Sequence, residues 1–439
     1  MNIEKSRHDF YLRKFLLIDI NSYFATLLQQ ENPFLRGKPV AIVKETGRTC
    51  IIAASKEAKK CGIQTGSNVV QARQMAPELV VMGAEFDLYL DATKRLIKIF
   101  QNVSPRVNVY SLDEAFVEIT QCGRLRADAR TLAQNIQQQI QTELGSFVTS
   151  NVGIGPNRFL AKMAAEIAPK GSVLEINQEN LDPILAQVGF ADVCGIGPRL
   201  ARKLALMGVT HPYQIRFYDE QDLQPLFGPF WSQELLKMAY GQEPHHLALL
   251  DKEFVNDGSQ AGTQRDYWRP PQSVSRSITL WQLADDEQEI KQVLYNLTRE
   301  VIFKVRKLKM AGRRISVSLS GSHNFQDLFW KSHQTLSTFV NHTQQMFEIV
   351  YQKLYSTWQR NFKPIKFRVC LSLLKPTKQI NPSLLPSWQK QEAVETALDE
   401  IAERYGLFAV RSALLTKEKQ IIRPEVTGFL GDKQYQLSK

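Results

Sequence analysis

The sequence predicts a multidomain α+β protein with a split βαβ module in its second half. Three observations predict this. The chain has 439 residues, too many for one ordinary core. Its first half alternates helical patterns with short apolar runs, some of them bounded by carboxylates. A basic segment after residue 272 follows the order β-α-β-β-α-β. A hydrophobic fraction of 43% and a charged fraction of 23% are those of a globular chain and exclude low-complexity disorder. No apolar run approaches the ~20 residues that span a bilayer, and Met1–Lys14 carries alternating charge, so a cytoplasmic protein without a membrane partner is expected. The five cysteines, Cys50, Cys61, Cys122, Cys194 and Cys370, are odd in number, scattered and without a C-x-x-C pair, which points to neither a disulfide framework nor a zinc site.

The first element is the run Lys14-Phe-Leu-Leu-Ile-Asp19, a buried strand delivering Asp19 to a surface. A second strand, Arg106–Tyr110, turns at Ser111-Leu112-Asp113-Glu114 into Ala115–Thr120, a hairpin with acidic residues at its bend. Helical patterns occupy Arg124–Leu144 and Asn157–Ala168, separated by the apolar run Phe147–Ile154. The glycine-interrupted stretch between Pro33 and Pro77 suits a small inserted lobe, and short helices surround the turn Gly195-Ile-Gly-Pro198. Gly258–Gln272 lacks apolar periodicity and reads as a linker. The basic module then runs strand Ser273–Leu280, helix Asp285–Lys309, strands Arg313–Ser320 and Asp327–Leu336, helix Val340–Trp358 and strand Lys366–Leu374. A last helical stretch covers Gln391–Tyr405.

Two strands that each deliver carboxylates can bring Asp19, Asp113 and Glu114 together as an all-oxygen site, which suits a hard divalent cation such as Mg²⁺ and the phosphoryl-transfer chemistry that such ions support. Taken singly, an Asp at a strand end or an Asp-Glu pair in a bend is ordinarily a turn residue. The net charge of +11 is concentrated between Ser273 and Pro376, where 16 Lys and Arg face 7 Asp and Glu. Such a segment attracts polyanions, with phosphate neutralisation as the usual source of affinity. Gly-x-Gly turns also occur in Rossmann units, but Arg158 and Leu200 occupy the third glycine position, so that reading fails at both turns.

The strings Asp19-Ile-Asn-Ser-Tyr-Phe-Ala25 and Ser111-Leu-Asp-Glu-Ala-Phe116 resemble the two signature motifs of the Y-family, the translesion DNA polymerases. Gly153-Ile-Gly-Pro-Asn-Arg-Phe-Leu-Ala-Lys162 and the hairpin at Gly195 follow in the expected order, and the resemblance spans about Phe15 to Leu374. It implies a right-hand core: residues 1–32 as N-terminal extension and start of the palm, 33–80 fingers, 81–172 palm and 173–257 a thumb with a helix-hairpin-helix element. A linker at 258–272, a little finger at 273–376 and a tail at 377–439 would complete the chain. It implies DNA-templated translesion synthesis with two Mg²⁺ held by Asp19, Asp113, Glu114 and the Ile20 carbonyl. Phe24 aligns with the steric gate against ribonucleotides, although periodicity alone would read it as core packing. Tyr23, Phe24, Ser55, Lys59 and Lys170 would bind the dNTP, with Lys162 as the alternative to Lys170. Gly195, Gly197, Arg276, Arg313, Arg314 and Lys331 would meet primer-template DNA.

Lys56 and Lys59 stand where many family members carry Tyr and Arg, replacing a hydroxyl contact and a guanidinium fork by point charges. Lys59, Asn21 and the run Cys50–Ala53 lean toward the UmuC-like and UvrX-like branches over the DNA polymerase IV branch. The family often carries a clamp-binding peptide after the little finger. Here Gln379-Ile-Asn-Pro-Ser-Leu-Leu385 occupies that place, but it lacks the aromatic ending and contains a Pro, so an ordinary linker is the better reading. Accessory proteins of the SOS response would be further partners. The competing readings are a catalytically weak DNA-binding scaffold with the same fold and, more remotely, a nucleotide cyclase, which needs neither basic module nor thumb turn.

Overall fold

The computed structural model describes residues 13–44, 50–120, 128–252, 271–280, 282–323, 326–380, 386–407 and 409–415. They fall into two compact units, one ending at residue 252 and one beginning at residue 271.

The first unit begins with strand β1 (Phe15–Ile20), helix α1 (Tyr23–Glu31), strands β2 (Val40–Val43) and β3 (Ile51–Ala54), and helices α2 (Lys56–Lys60) and α3 (Val69–Met75). Strand β4 (Val80–Gly83), helix α4 (Phe86–Val103), the hairpin β5 (Val107–Val109) and β6 (Glu114–Glu118), and helix α5 (Ala129–Leu144) follow. Strand β7 (Ser150–Gly155), helix α6 (Arg158–Ile167) and strand β8 (Val173–Glu175) lead into helices α7 (Leu181–Gln187), α8 (Pro198–Leu206) and α9 (Glu220–Ala239).

The main sheet has the order β5-β6-β1-β7-β8, antiparallel except for the β7/β8 edge. Strand β8 joins it although it begins at residue 173, where the sequence suggests the thumb. Successive side chains of a strand point to opposite faces, and β1 illustrates the consequence. Leu16, Ile18 and Ile20 pack into the core with α4 and α5, whereas Phe15 and Leu17 pack with α6. Asp19 therefore shares the α6 face with Phe15 and Leu17. Glu114 shares it too, because Phe116 packs with α6 and Glu114 lies directly opposite Asp19 in the β1/β6 register.

Helix α6 lies hard on that face because Gly153 and Gly155 have no Cβ, which at either position would run into the backbone of Ala161. Arg158 and Lys162 are buried as a result. The Arg158 guanidinium sits over the Phe15 ring and pairs with Glu243 and Asp251. The inserted lobe is a small sheet of order β3-β2-β4 with its own core of Ala41, Val43, Ile51, Ala54 and Ile63. Helices α7 to α9 pack around Leu185, Phe190, Leu204, Leu223 and Leu235.

The second unit contains β9 (Ser273–Thr279), α10 (Glu287–Lys307), β10 (Met310–His323), β11 (Gln326–Val340), α11 (Thr343–Glu348) and β12 (Lys363–Ser372), the element order expected. After α11 the chain continues through a π-helical stretch, Ile349–Leu354. The sheet order is β11-β10-β12-β9 with every neighbouring pair antiparallel. Strands β9 and β10 are thus mutually parallel with β12 inserted between them, so the βαβ unit is split in the literal sense. The helix of the C-terminal tail, α12 (Pro386–Tyr405), belongs to this unit. Arg306 of α10 donates to both carboxylate oxygens of Asp399 at 2.6 Å and pairs with Glu395 at 2.8 Å. These ion pairs tie the helix to α10.

Candidate active site

Asp19, near the end of β1, and Asp113, just before β6, open into a pocket of about 300 Å³ in the first unit. Ile20, Asn21, Tyr23, Phe24, Lys59, Glu166 and Lys170 also line it. The Ile20 amide donates to the Asp113 carbonyl at 2.9 Å, fixing the two carboxylate-bearing segments together. The Ser111 hydroxyl donates to Asp113 Oδ1. Burial, then the charges of Glu114, Asp113 and Glu166, push the Asp19 carboxyl up to about 7. Burial also raises Glu114, against the pull of Lys162.

Glu114 does not line the pocket. Lys162 donates to Glu114 Oε2 at 2.6 Å and pairs with Glu166 at 3.3 Å. Although burial opposes its charge, Lys162 is held more basic than usual by these carboxylates. Among the described residues no three acidic, His or Cys side chains converge into a finished metal cage. The donor chemistry nevertheless fits a hard cation, since carboxylates crowded enough to raise one another's pKa are relieved by positive charge. Asn21 Oδ1 is also a buried acceptor with no partner, as expected if a bound group or its water completes the site.

The rest of the pocket separates two chemistries. Phe24 is 8% exposed and stacks on Tyr89 with ring centroids 4.2 Å apart, which makes it a fixed wall. The Tyr23 hydroxyl is spent in the core, donating to the Tyr89 carbonyl at 2.7 Å, so the pocket meets other parts of this residue. Helix α1 starts at the pocket after Ser22, whose backbone is left-handed (φ 51°). The first-turn N–H groups of a helix have no intrahelical acceptor and favour anions. Lys59 and Lys170 both reach the pocket, and burial followed by the charge of Lys170 lowers the Lys59 pKa. Two cations crowded in this way suit a polyanionic group.

Ser55 is a correction to the sequence reading. Its side chain is fully buried, accepts from the Ala58 amide as the N-cap of α2 and accepts from the Val40 amide, so it serves the fold and not a ligand. Lys56 lies over the Phe147 ring at 4.8 Å. Glu166 was missed. It follows Lys162 by one helical turn, a spacing that reads as an ordinary surface ion pair.

The Gly195–Pro198 turn is exposed apart from Ile196, with Gly195 at φ +96° and Gly197 as the N-cap of α8. In the second unit Ile315, Val317, Leu319, Phe367, Val369 and Leu371 face the helices. The opposite face of the sheet carries Arg314, Lys331, Lys366 and Arg368 among Ser, Thr and His side chains. Arg276 points the other way. It is 9% exposed and donates to Glu300 at 2.6 Å, so it is a buried structural ion pair and not a DNA contact. Arg313 is half-buried with its guanidinium over the Phe339 ring. Lys366 and Arg368 were missed, although the alternation Lys366-Phe367-Arg368-Val369 marks them as outward.

Residues 18–166 match the impB/mucB/samB family and residues 271–384 match the C-terminal domain of the same family, together more than half of the chain. The chain belongs to the Y-family of DNA polymerases. Y-family relatives at full length include the DNA polymerase IV of Pelotomaculum thermopropionicum, 27% identical over 93% of this chain and 96% of that one. The DNA polymerase IV of Moorella thermoacetica is 28% identical over 91% and 95%, and DNA polymerase IV 2 of Bacillus subtilis is 27% identical over 92% and 95%. Identities this low define the family and not its branch. A solved chimeric Y-family DNA polymerase shares the fold, with a TM-score of 0.66 and 21% identity over 84% of this chain and all of that one. Enzymes of the Y-family generally need divalent metal ions. No helix among the described residues is long and apolar enough to cross a membrane.

Proposed function

We propose that this chain is a DNA-templated DNA polymerase that performs translesion synthesis in the cytoplasm by nucleotidyl transfer with two Mg²⁺. The observation that carries the reading is one pocket lined together by Asp19 and Asp113, a rigid Phe24 wall, Lys59, Lys170 and the start of α1. Asp19, Asp113, the Ile20 carbonyl and Glu114 would hold the ions. When bound, such ions lower the pKa of the attacking hydroxyl and steady the triphosphate. The primer 3′-hydroxyl attacks the α-phosphate of the dNTP, and pyrophosphate leaves. Lys59, Lys170 and the first turn of α1, at Tyr23 and Phe24, orient the triphosphate. Because Lys162 is engaged with Glu114 and Glu166, Lys170 is the better placed of the two for that role.

The hairpin at Gly195 and Gly197 and the open sheet face of the second unit grip primer-template DNA through its phosphates. Changing Arg314, Lys366 and Arg368 together to Ala should weaken DNA binding without altering sequence preference, and should flatten the salt dependence by about 0.9 in log–log slope for each phosphate that is no longer neutralised. Fluorescence anisotropy over a salt series checks this. An unchanged slope removes the face from the DNA interface.

A sliding clamp engaged through residues 379–385 and accessory proteins of the SOS response are the proposed partners. Residues 381–385 of that peptide lie outside the described residues. The lesion-bypass reading is tested by extension of a primer across a template abasic site. Full-length product is expected, whereas a stop opposite the lesion together with efficient copying of undamaged template would make this an ordinary templated polymerase.

A further inference from the structure

The proposed mechanism leaves the buried ammonium of Lys162 unused. Lys162 stands on α6 with its side chain 10% exposed, drawn against the sheet because Gly153 and Gly155 let the helix approach. Its ammonium lies 2.6 Å from Glu114 Oε2, 3.3 Å from Glu166 Oε1 and 5.2 Å from the centre of the Tyr110 ring. Glu114 faces Asp19 across the β1/β6 register, so Lys162 occupies the charge of a carboxylate that the proposed ion site also needs. Glu166 is different. It lines the pocket, its side chain is 41% exposed, and it sits one helical turn beyond Lys162, within reach of the same ammonium.

We propose that Lys162 is a resident counter-ion that neutralises Glu114 in the metal-free enzyme, and that Glu166 is the positioning residue that retains the ammonium when Glu114 turns to a divalent cation. The inference rests on the proposed polymerase site and adds to it a device that sets how tightly the metal is held. A buried carboxylate without a partner is costly, so Lys162 stabilises the empty site. That same pair must be broken before Glu114 can serve as a ligand, and breaking it would strand a buried ammonium unless another carboxylate accepts it. Glu166 supplies that acceptor with no movement of the helix backbone, because residues four apart on a helix are neighbours. The two residues therefore act on metal affinity in opposite directions, and Glu166 acts through Lys162.

The test is Mn²⁺ binding to the full-length protein without DNA or nucleotide, with free Mn²⁺ followed by electron paramagnetic resonance. Glu166→Gln should weaken binding about fivefold, and Lys162→Met should tighten it by a similar factor. In the Lys162→Met background, Glu166→Gln should have no further effect. A Glu166→Gln effect of equal size with and without Lys162 would mean that Glu166 contributes only its charge, and would overturn the proposal. Weaker binding in Lys162→Met would overturn it as well, since a merely supporting lysine predicts that result. If Lys162→Met does not fold, Lys162→Gln replaces it in both arms. Wild-type protein whose Mn²⁺ binding is absent, or is unaffected by Asp113→Ala, would overturn the polymerase site itself, an outcome separate from both of these.

Discussion

Asp113→Ala should lower the rate of primer extension by about 10³-fold or more, which corresponds to ~4 kcal/mol of lost transition-state stabilisation. The reason is geometric. Asp113 lines the pocket beside Asp19, its segment is tied to β1 by the Ile20 amide, and its carboxylate is oriented by Ser111. Removing it takes away a ligand oxygen without disturbing a core, because the residue sits in the bend before β6 and not inside the strand. Affinity for primer-template should stay nearly intact, as the proposed DNA contacts lie elsewhere. Extension rates from single-turnover kinetics and an independent binding titration separate the two quantities. Appreciable residual synthesis would refute the role.

Phe24→Ala should raise ribonucleotide incorporation relative to deoxyribonucleotide incorporation by about 100-fold, or ~3 kcal/mol of discrimination. A wall excludes a hydroxyl only if it cannot move aside. Phe24 is pinned by the stacked ring of Tyr89 at 4.2 Å and by the edge of Phe86 at 6.5 Å. Tyr23 is in turn anchored through its hydroxyl to the Tyr89 carbonyl. Smaller side chains leave room for the 2′-hydroxyl, so the variant should gain rNTP use more than it loses dNTP use. Competitive incorporation of rNTP and dNTP at one template position reads the ratio. Unchanged sugar discrimination would leave Phe24 as core packing.

Much of this was legible because the relevant signals are local. The apolar run before Asp19 and the acidic bend at Asp113 are strand and turn patterns of a few residues, and the β-α-β-β-α-β order of the second unit follows from period and length. What escaped depends on which side a residue faces or on contacts distant in sequence. Arg276 looked like a DNA-binding cation, yet its alternation with Val274 and Ile278 turns it inward to Glu300. The same alternation would have found Lys366 and Arg368 on the outer face. Ser55 could have been read as a helix cap from its position before Lys56–Lys60. Glu166 carried no such signal, since its importance arises only when α6 lies against β1 and β6. Strand β8 is three residues long, too short for periodicity, and the docking of α12 rests on Arg306, Glu395 and Asp399, residues that sequence alone gives no reason to pair.

If one pocket performs templated DNA synthesis, the template base must dictate which nucleotide is added. The decisive experiment supplies the full-length protein with Mg²⁺, an undamaged primer-template and each dNTP singly, and repeats this for all four templating bases. The complementary nucleotide should be added preferentially in each case, and Asp113→Ala should add none. Primer-template that binds but is never extended, by the wild-type protein with any dNTP, would contradict templated synthesis and leave a DNA-binding scaffold in its place.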